Sequence, residues 1–261
     1  MKKFIKFFKT TQQSIKLISS TMKIAKENPL VISILPLYIT FYLHKKFFNK
    51  NRYIYIFGPK GSGKTTLAKF LKDPESILHK EYKETVESGK YIVDIKDHES
   101  IKLAELEYNV IVVDHPGSVN TRKLPTQLSI RRKILDIAKT EEQPIIFYLF
   151  DLNKVDDSNY VKTIKEDLEF ISKHLQDAFI IIIANKLDLF IKKIKAKDIS
   201  KEIAKKIEEI FRQSERKDIL KLLKKQNKAA IVSGSLKDKK SASALVAKVF
   251  NILVKLEKEE R

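Results

Sequence analysis

Eight residues constrain this chain more than any other stretch: Gly58-Pro59-Lys60-Gly61-Ser62-Gly63-Lys64-Thr65. They satisfy the pattern G-x-x-x-x-G-K-[ST] at every fixed position. The apolar run at 53–57 reads as a buried strand, and residues 66–71 read as the opening of a helix. A strand, a glycine-rich loop and a helix N-terminus make an anion site. Backbone N–H groups turn inward, and the helix dipole adds positive potential. The cradle runs from Gly58 to Thr66. Within it Lys64 is expected to reach the β- and γ-phosphates of a nucleotide, and the Thr65 hydroxyl to ligate Mg²⁺.

Composition bounds the remaining classes. The 261 residues suffice for one sizeable α/β domain with an appendage. The chain has no Cys and no Trp, which excludes disulfides, cysteine-ligated zinc and thiol catalysis. Net charge is +19, unevenly spread. Residues 1–50 carry ten Lys against one acid. Residues 189–228 carry twelve Lys and two Arg against six acids. Two basic appendages therefore flank a nearly neutral domain. Such surfaces suit anionic lipid or nucleic acid. No aromatic-interleaved RNA-binding motif accompanies the charge, so nucleic acid is the less favoured direct ligand.

The first fifty residues form the first domain. Phe4, Phe8, Thr11, Ile15, Ile18, Met22 and Ala25 recur at helical spacing, with lysines off that stripe. A basic amphipathic helix of this kind can lie on a membrane. Residues 30–43 carry no charge but are short for a span, and Pro36 interrupts them. An interfacial or re-entrant anchor, a single span, and packing against protein all remain open.

Residues 51–261 form the second domain. Candidate strands are 53–57, 91–95, 110–114, 144–151, 178–185 and 229–233. Several are continuous Ile/Val runs, as expected when both faces are covered. One helical stripe lies between two of them (Val161, Ile164, Leu168, Ile171, Leu175), and another closes the chain (Leu245, Val249, Ile252, Leu253, Leu256). The pattern predicts a doubly wound, mostly parallel six-stranded α/β sheet with helices on both faces. Ligands would bind at the strand C-terminal ends.

Those ends carry the remaining motifs. Asp114-His115-Pro116-Gly117 follows one strand. Asp114 can hold Mg²⁺, and Gly117 can offer its N–H to a γ-phosphate. Asn185-Lys186-Leu187-Asp188 follows another. A carboxylate accepts two hydrogen bonds, and guanine presents N1–H and N2–H₂ side by side. Adenine presents an acceptor at N1, so Asp188 selects guanine. Asn185 would steady neighbouring loops, and the Lys186 stem would lie along the base. Ser233-Gly234-Ser235 falls where a backbone contact to guanine O6 is expected. Thr85, in a polar stretch twenty residues after Thr65, is the candidate to close over Mg²⁺.

In this order and spacing the motifs resemble the Ras-like GTPase superfamily over residues 52–257. The nearest resemblance is to the beta subunit of the signal recognition particle receptor, a relative of the Arf and Sar proteins. Asp114-x-Pro116-Gly117 with Arg122, the membrane-first layout and an insertion after Asp188 carry it. That insertion has an apolar face (Ile199, Ile203, Ile207, Ile210, Phe211) followed by Arg212-Gln213-Ser214-Glu215-Arg216. The resemblance implies GTP/GDP and Mg²⁺ as ligands. It also implies a cytoplasm-facing domain that holds the receptor's alpha subunit at the membrane in its GTP form. Ser118 stands where the family has His and where Ras has Gln, the residue that positions the attacking water. Ser is shorter, which predicts slow unaided hydrolysis or a constitutively GTP-bound scaffold.

Overall fold

Continuous apolar runs become the central strands of one six-stranded sheet in the computed structural model, which describes residues 52–78, 89–93, 110–115, 124–194, 199–212 and 228–259. In chain order the elements are β1 (Arg52–Phe57), α1 (Lys64–Lys72), a 3-10 turn (Pro74–Leu78), β2 (Gly89–Val93), β3 (Val110–Asp114) and α2 (Leu124–Thr140). There follow β4 (Ile145–Asp151), a 3-10 turn (Leu152–Lys154), α3 (Ser158–His174), β5 (Phe179–Asn185), α4 (Leu187–Lys193), α5 (Ile199–Arg212), β6 (Lys228–Ser233) and α6 (Lys239–Lys258).

The strand order is β2-β3-β1-β4-β5-β6. β2 runs antiparallel to β3, and every other pairing is parallel. Every residue of β4 and β5 is buried, as expected of parallel strands covered on both faces. Alternation along each strand divides the core into two layers. Ile54, Ile56, Phe147, Leu149, Ile181 and Ile183 face α1 and α6. Tyr55, Phe57, Ile146, Tyr148, Ile180 and Ile182 face α2, α3 and α5.

The helical stripes dock largely as their periodicity predicts. Ile164, Leu168, Ile171 and Leu175 are buried under α3, with Val161 leaning on the same cluster. Leu245, Val249 and Leu253 are buried on α6, with Ile252 and Leu256 partly buried. The helix expected in the insertion forms as α5. Its Ile210 and Phe211 are buried, and Ile203 and Ile207 pack against the same core cluster. The Ile199 side chain and residues 213–227 lie outside the described residues. Each fully buried aliphatic or aromatic side chain contributes roughly 1.5–3 kcal/mol, so α5 is anchored to the domain.

The strand expected at 91–95 forms and begins two residues earlier, at Gly89. β2 is described over Gly89–Val93, pairing Gly89 with Asp114 and Val93 with Val110, and residues 94 and 95 of the expected strand lie outside the described residues. Ile92 on this edge strand is 76% exposed. No helix among the described residues is long and apolar enough to cross a membrane. Residues 1–50, where membrane attachment is expected, lie outside the described residues.

The parallel register sets the site. It brings Gly58 after β1, Asp114 at the end of β3, Asp151 at the end of β4, Asn185 at the end of β5 and Ser233 at the end of β6 to one edge.

Candidate nucleotide-binding site

The glycines of the loop are there for steric reasons. Gly58 has φ +136°, and a Cβ there would lie 1.9 Å from the Leu149 carbonyl oxygen. The loop can leave β1 against β4 only without a side chain. Gly63 has φ +101°, and its Cβ would lie 2.3 Å from Asn185 Nδ2. Gly63 is also the N-cap of α1, with no side chain to bond the helix, and the first turn of α1 holds no acid. Helix geometry gives the N–H groups of a first turn no intrahelical partner, which suits an anion there. Ser62 is fully buried, and its Oγ has no hydrogen-bond partner among the described residues. A buried hydroxyl of this kind fits a loop built around a polar ligand.

Lys64 lies inside the loop and donates from Nζ to the Pro59 carbonyl at 2.9 Å. Burial pulls its pKa down to about 8, against the opposing effect of the Asp114 and Asp167 carboxylates. The ammonium is thus held by one neutral acceptor in a desolvated setting, where phosphate oxygens would be strong partners. Lys60 and Pro59 complete the turn, with Pro59 O also accepting from Ser62 N at 3.3 Å.

Two of the three residues expected at the metal, Thr65 and Asp114, converge. Thr65 Oγ1 donates to Asp114 Oδ2 at 2.7 Å, although the residues are 49 apart in sequence. One hydroxyl and one fully buried carboxylate make a hard oxygen donor set. This suits Mg²⁺, which keeps several waters and takes phosphate oxygens beside one or two protein ligands. Thr85, Gly117 and Ser118 lie outside the described residues.

Next to Asp114, His115 stacks on Phe57 (ring centroids 4.6 Å apart) and on Tyr55 (6.2 Å). Burial, with Lys133 and Lys64 nearby, lowers its pKa to about 4. It is neutral at physiological pH and packs as an aromatic ring.

At the other end of the edge, Asn185 joins two loops. Its Nδ2 donates to the Ser62 carbonyl at 2.9 Å, and its Oδ1 accepts from Leu236 N at 3.2 Å. The phosphate loop is therefore tied to the segment after β6. Lys186 follows in the left-handed region (φ +62°), the sole non-glycine residue with positive φ among the described residues. That conformation turns the chain into α4 and is costly for a side-chain-bearing residue. Its Nζ reaches Asp151 Oδ2 at 2.7 Å.

Asp188, in the first turn of α4, accepts a hydrogen bond from Ser235 Oγ at 2.6 Å. Gly234 uses both backbone groups within the protein, donating to Ala184 O and accepting from Leu187 N, each at 3.0 Å. Its Cβ would meet Leu245 at 2.7 Å, so it packs β6 against α6. Ser233 ends β6, paired with Ala184. Of the three, Ser235 is the one bonded to Asp188.

A family model described as a 50S ribosome-binding GTPase matches residues 53–186. The chain belongs to this GTPase family. The match runs from β1 through Lys186 and so takes in the phosphate loop, Asp114 and Asn185. No curated protein sequence matches the chain. Among solved structures, a chain of the mammalian signal recognition particle receptor is similar at 17% identity and TM-score 0.51, covering 78% of this chain and all of that one. Translation elongation factor SelB from Methanococcus maripaludis, with a GTP analogue, is similar at 19% identity and TM-score 0.47. The similarity covers 80% of this chain but only 34% of that factor. A small COPII coat GTPase from Encephalitozoon cuniculi, with GDP, is similar at 16% identity and TM-score 0.49, covering 91% and 99% of the two chains. The likeness to the receptor chain shows a shared fold.

Asp151 also stands at this candidate site, although in the sequence it is marked only as a strand end. It is 1% exposed, pairs with Lys186 and accepts from Asn153 N at 3.0 Å. Its one sequence signal is an acid ending an apolar strand, as at Asp114. Its partner is set by the register that places Asp151 beside Asn185.

Proposed function

We propose that this GTPase is a membrane-associated GTP-binding switch like the signal recognition particle receptor beta subunit, recruiting a receptor alpha-type partner in its GTP form for co-translational protein targeting. The observation that carries the nucleotide reading is Asn185, bonded at once to the phosphate loop and to the segment after β6. It couples a polyphosphate cradle to the Asp188–Ser235 pair, a carboxylate poised to accept from guanine N1–H and N2–H₂. The resemblance of the motifs and the basic, apolar residues 1–50 support the membrane and partner assignments. In this reading those residues meet an anionic lipid surface, and the GTPase domain faces the cytoplasm.

Thr65 and Asp114 would hold Mg²⁺, which when bound would supply charge neutralisation to the phosphates. The chain's own groups do the rest by positioning and electrostatics. The Lys64 ammonium takes charge developing on the phosphates, and the loop amides hold them in place. Gly117 offers its N–H to the γ-phosphate, and Thr85 closes over the site in the GTP form. Ser118 is too short to orient water as Gln or His would, so unaided hydrolysis is slow, on the order of 10⁻⁴ per second or below.

Two measurements test this. Single-turnover hydrolysis without a partner should stay in that range; a rate near 10 per second, about that of a fully activated small GTPase, would refute the role given to Ser118. Affinity capture from detergent-solubilised membranes, with protein loaded with a non-hydrolysable GTP analogue, should recover the receptor's alpha-type subunit. Capture that ignores the nucleotide would favour a constitutively GTP-bound scaffold instead. A second reading, a ribosome-binding GTPase, rests on the family's description and on the basic 189–228 insertion. Salt-sensitive binding to ribosomal subunits by protein lacking residues 1–50 would favour it.

A further inference from the structure

The segment after β4 carries a lysine that none of the motifs assigns. Lys154 ends the 3-10 turn Leu152–Lys154, and its side chain reaches across to the phosphate loop. A Cβ built on Gly61 would lie 3.8 Å from Lys154 Nζ, so the ammonium sits against the middle of the loop. The ammonium also lies over the Tyr160 ring, 5.8 Å from its centroid. Tyr160 is itself fixed, accepting from Asp151 N at 2.7 Å. Among the described residues no carboxylate pairs with Lys154; Asp151, the buried acid of this segment, is taken by Lys186. Lys154 is thus an exposed cation, aimed at an anion-binding loop and lacking an anion of its own.

We infer that Lys154 is a phosphate-binding residue outside the loop, contacting the nucleotide's polyphosphate from the β4 side and slowing its release. This rests on the guanine-nucleotide reading above. A cation on a flexible stem supplies charge without demanding bidentate geometry, so arginine can replace it. It is exposed, so substitution leaves the core intact.

The test uses the full chain, Lys154→Gln and Lys154→Arg, with a fluorescent GDP analogue. Release is timed by chase with unlabelled GDP across a salt series. The expected result is roughly tenfold faster release from Lys154→Gln, a shallower salt dependence, and near-wild-type release from Lys154→Arg. Equal release from wild type and Lys154→Gln would overturn the inference and leave the GTPase reading standing. Faster release from both variants with unchanged salt dependence would also overturn it, placing the lysine's role in packing Tyr160. A wild-type chain that binds no guanine nucleotide removes both readings together.

Discussion

Asp188 is held by a single side-chain hydroxyl, Ser235 Oγ at 2.6 Å, and this makes a testable pair. Ser235→Ala should leave the carboxylate in place but less fixed. The cost should be about 1 kcal/mol, several-fold in Kd for GDP by fluorescence titration. Asp188→Asn replaces one acceptor oxygen with a donor that faces the guanine N–H groups. GDP affinity should fall by at least about 100-fold with guanine preference lost; unchanged guanine preference in competition assays would overturn the base assignment. Gly58→Ala acts on the fold instead. A Cβ 1.9 Å from Leu149 O must displace β1 from β4, and a loss of at least about 2 kcal/mol is expected by urea unfolding. These residues were legible because each lies in a short motif whose spacing is fixed by local geometry. Asp151 was not, because its partner Lys186 is 35 residues away and meets it only through strand register. Lys154 was hidden for the same reason: it touches the phosphate loop across the sheet edge, and one more lysine in a lysine-rich chain carries no signal.

At the scale of elements, α5 decides whether the basic insertion is an appendage or part of the domain. Phe211 is 1% exposed and packs in the same cluster as Ile182 and Phe190. Phe211→Ala should therefore cost about 3–5 kcal/mol, seen as a large drop in the urea midpoint. A change below about 1 kcal/mol would show a helix merely resting on the surface. The helix after Lys154 is held at its start by Asp157, whose side chain accepts from Asn159 N at 2.9 Å and Tyr160 N at 3.3 Å. Asp157→Ala should cost about 1 kcal/mol. The α5 stripe could be read in advance because Ile203, Ile207, Ile210 and Phe211 repeat at helical spacing. The bounds of β2 could not. Its start at Gly89 is set by pairing with Asp114 of β3, a strand distant in sequence.

For the molecule as a whole, the order of the strands matters most. Five parallel strands deliver their C-terminal ends to one edge, and the residues proposed for phosphate, metal and base arrive there from loops far apart in sequence. The two core layers that hold this edge come from uninterrupted Ile, Val and Phe runs, which is why the sheet was readable from sequence. Charge adds a second, separable property. Residues 1–50 carry most of the excess with residues 189–228. Deleting 1–50 should abolish flotation with vesicles containing anionic lipid while leaving nucleotide binding intact; flotation that survives the deletion would move membrane attachment elsewhere. The central claim is that this edge binds guanine nucleotide with Mg²⁺. The most direct measurement is equilibrium binding of fluorescent GDP and ADP analogues to the full chain, with Mg²⁺ and with EDTA. The account predicts binding of the GDP analogue at least about 100-fold tighter than the ADP analogue, weakened by EDTA. Equal affinity for the two bases, or no binding of either, would contradict it.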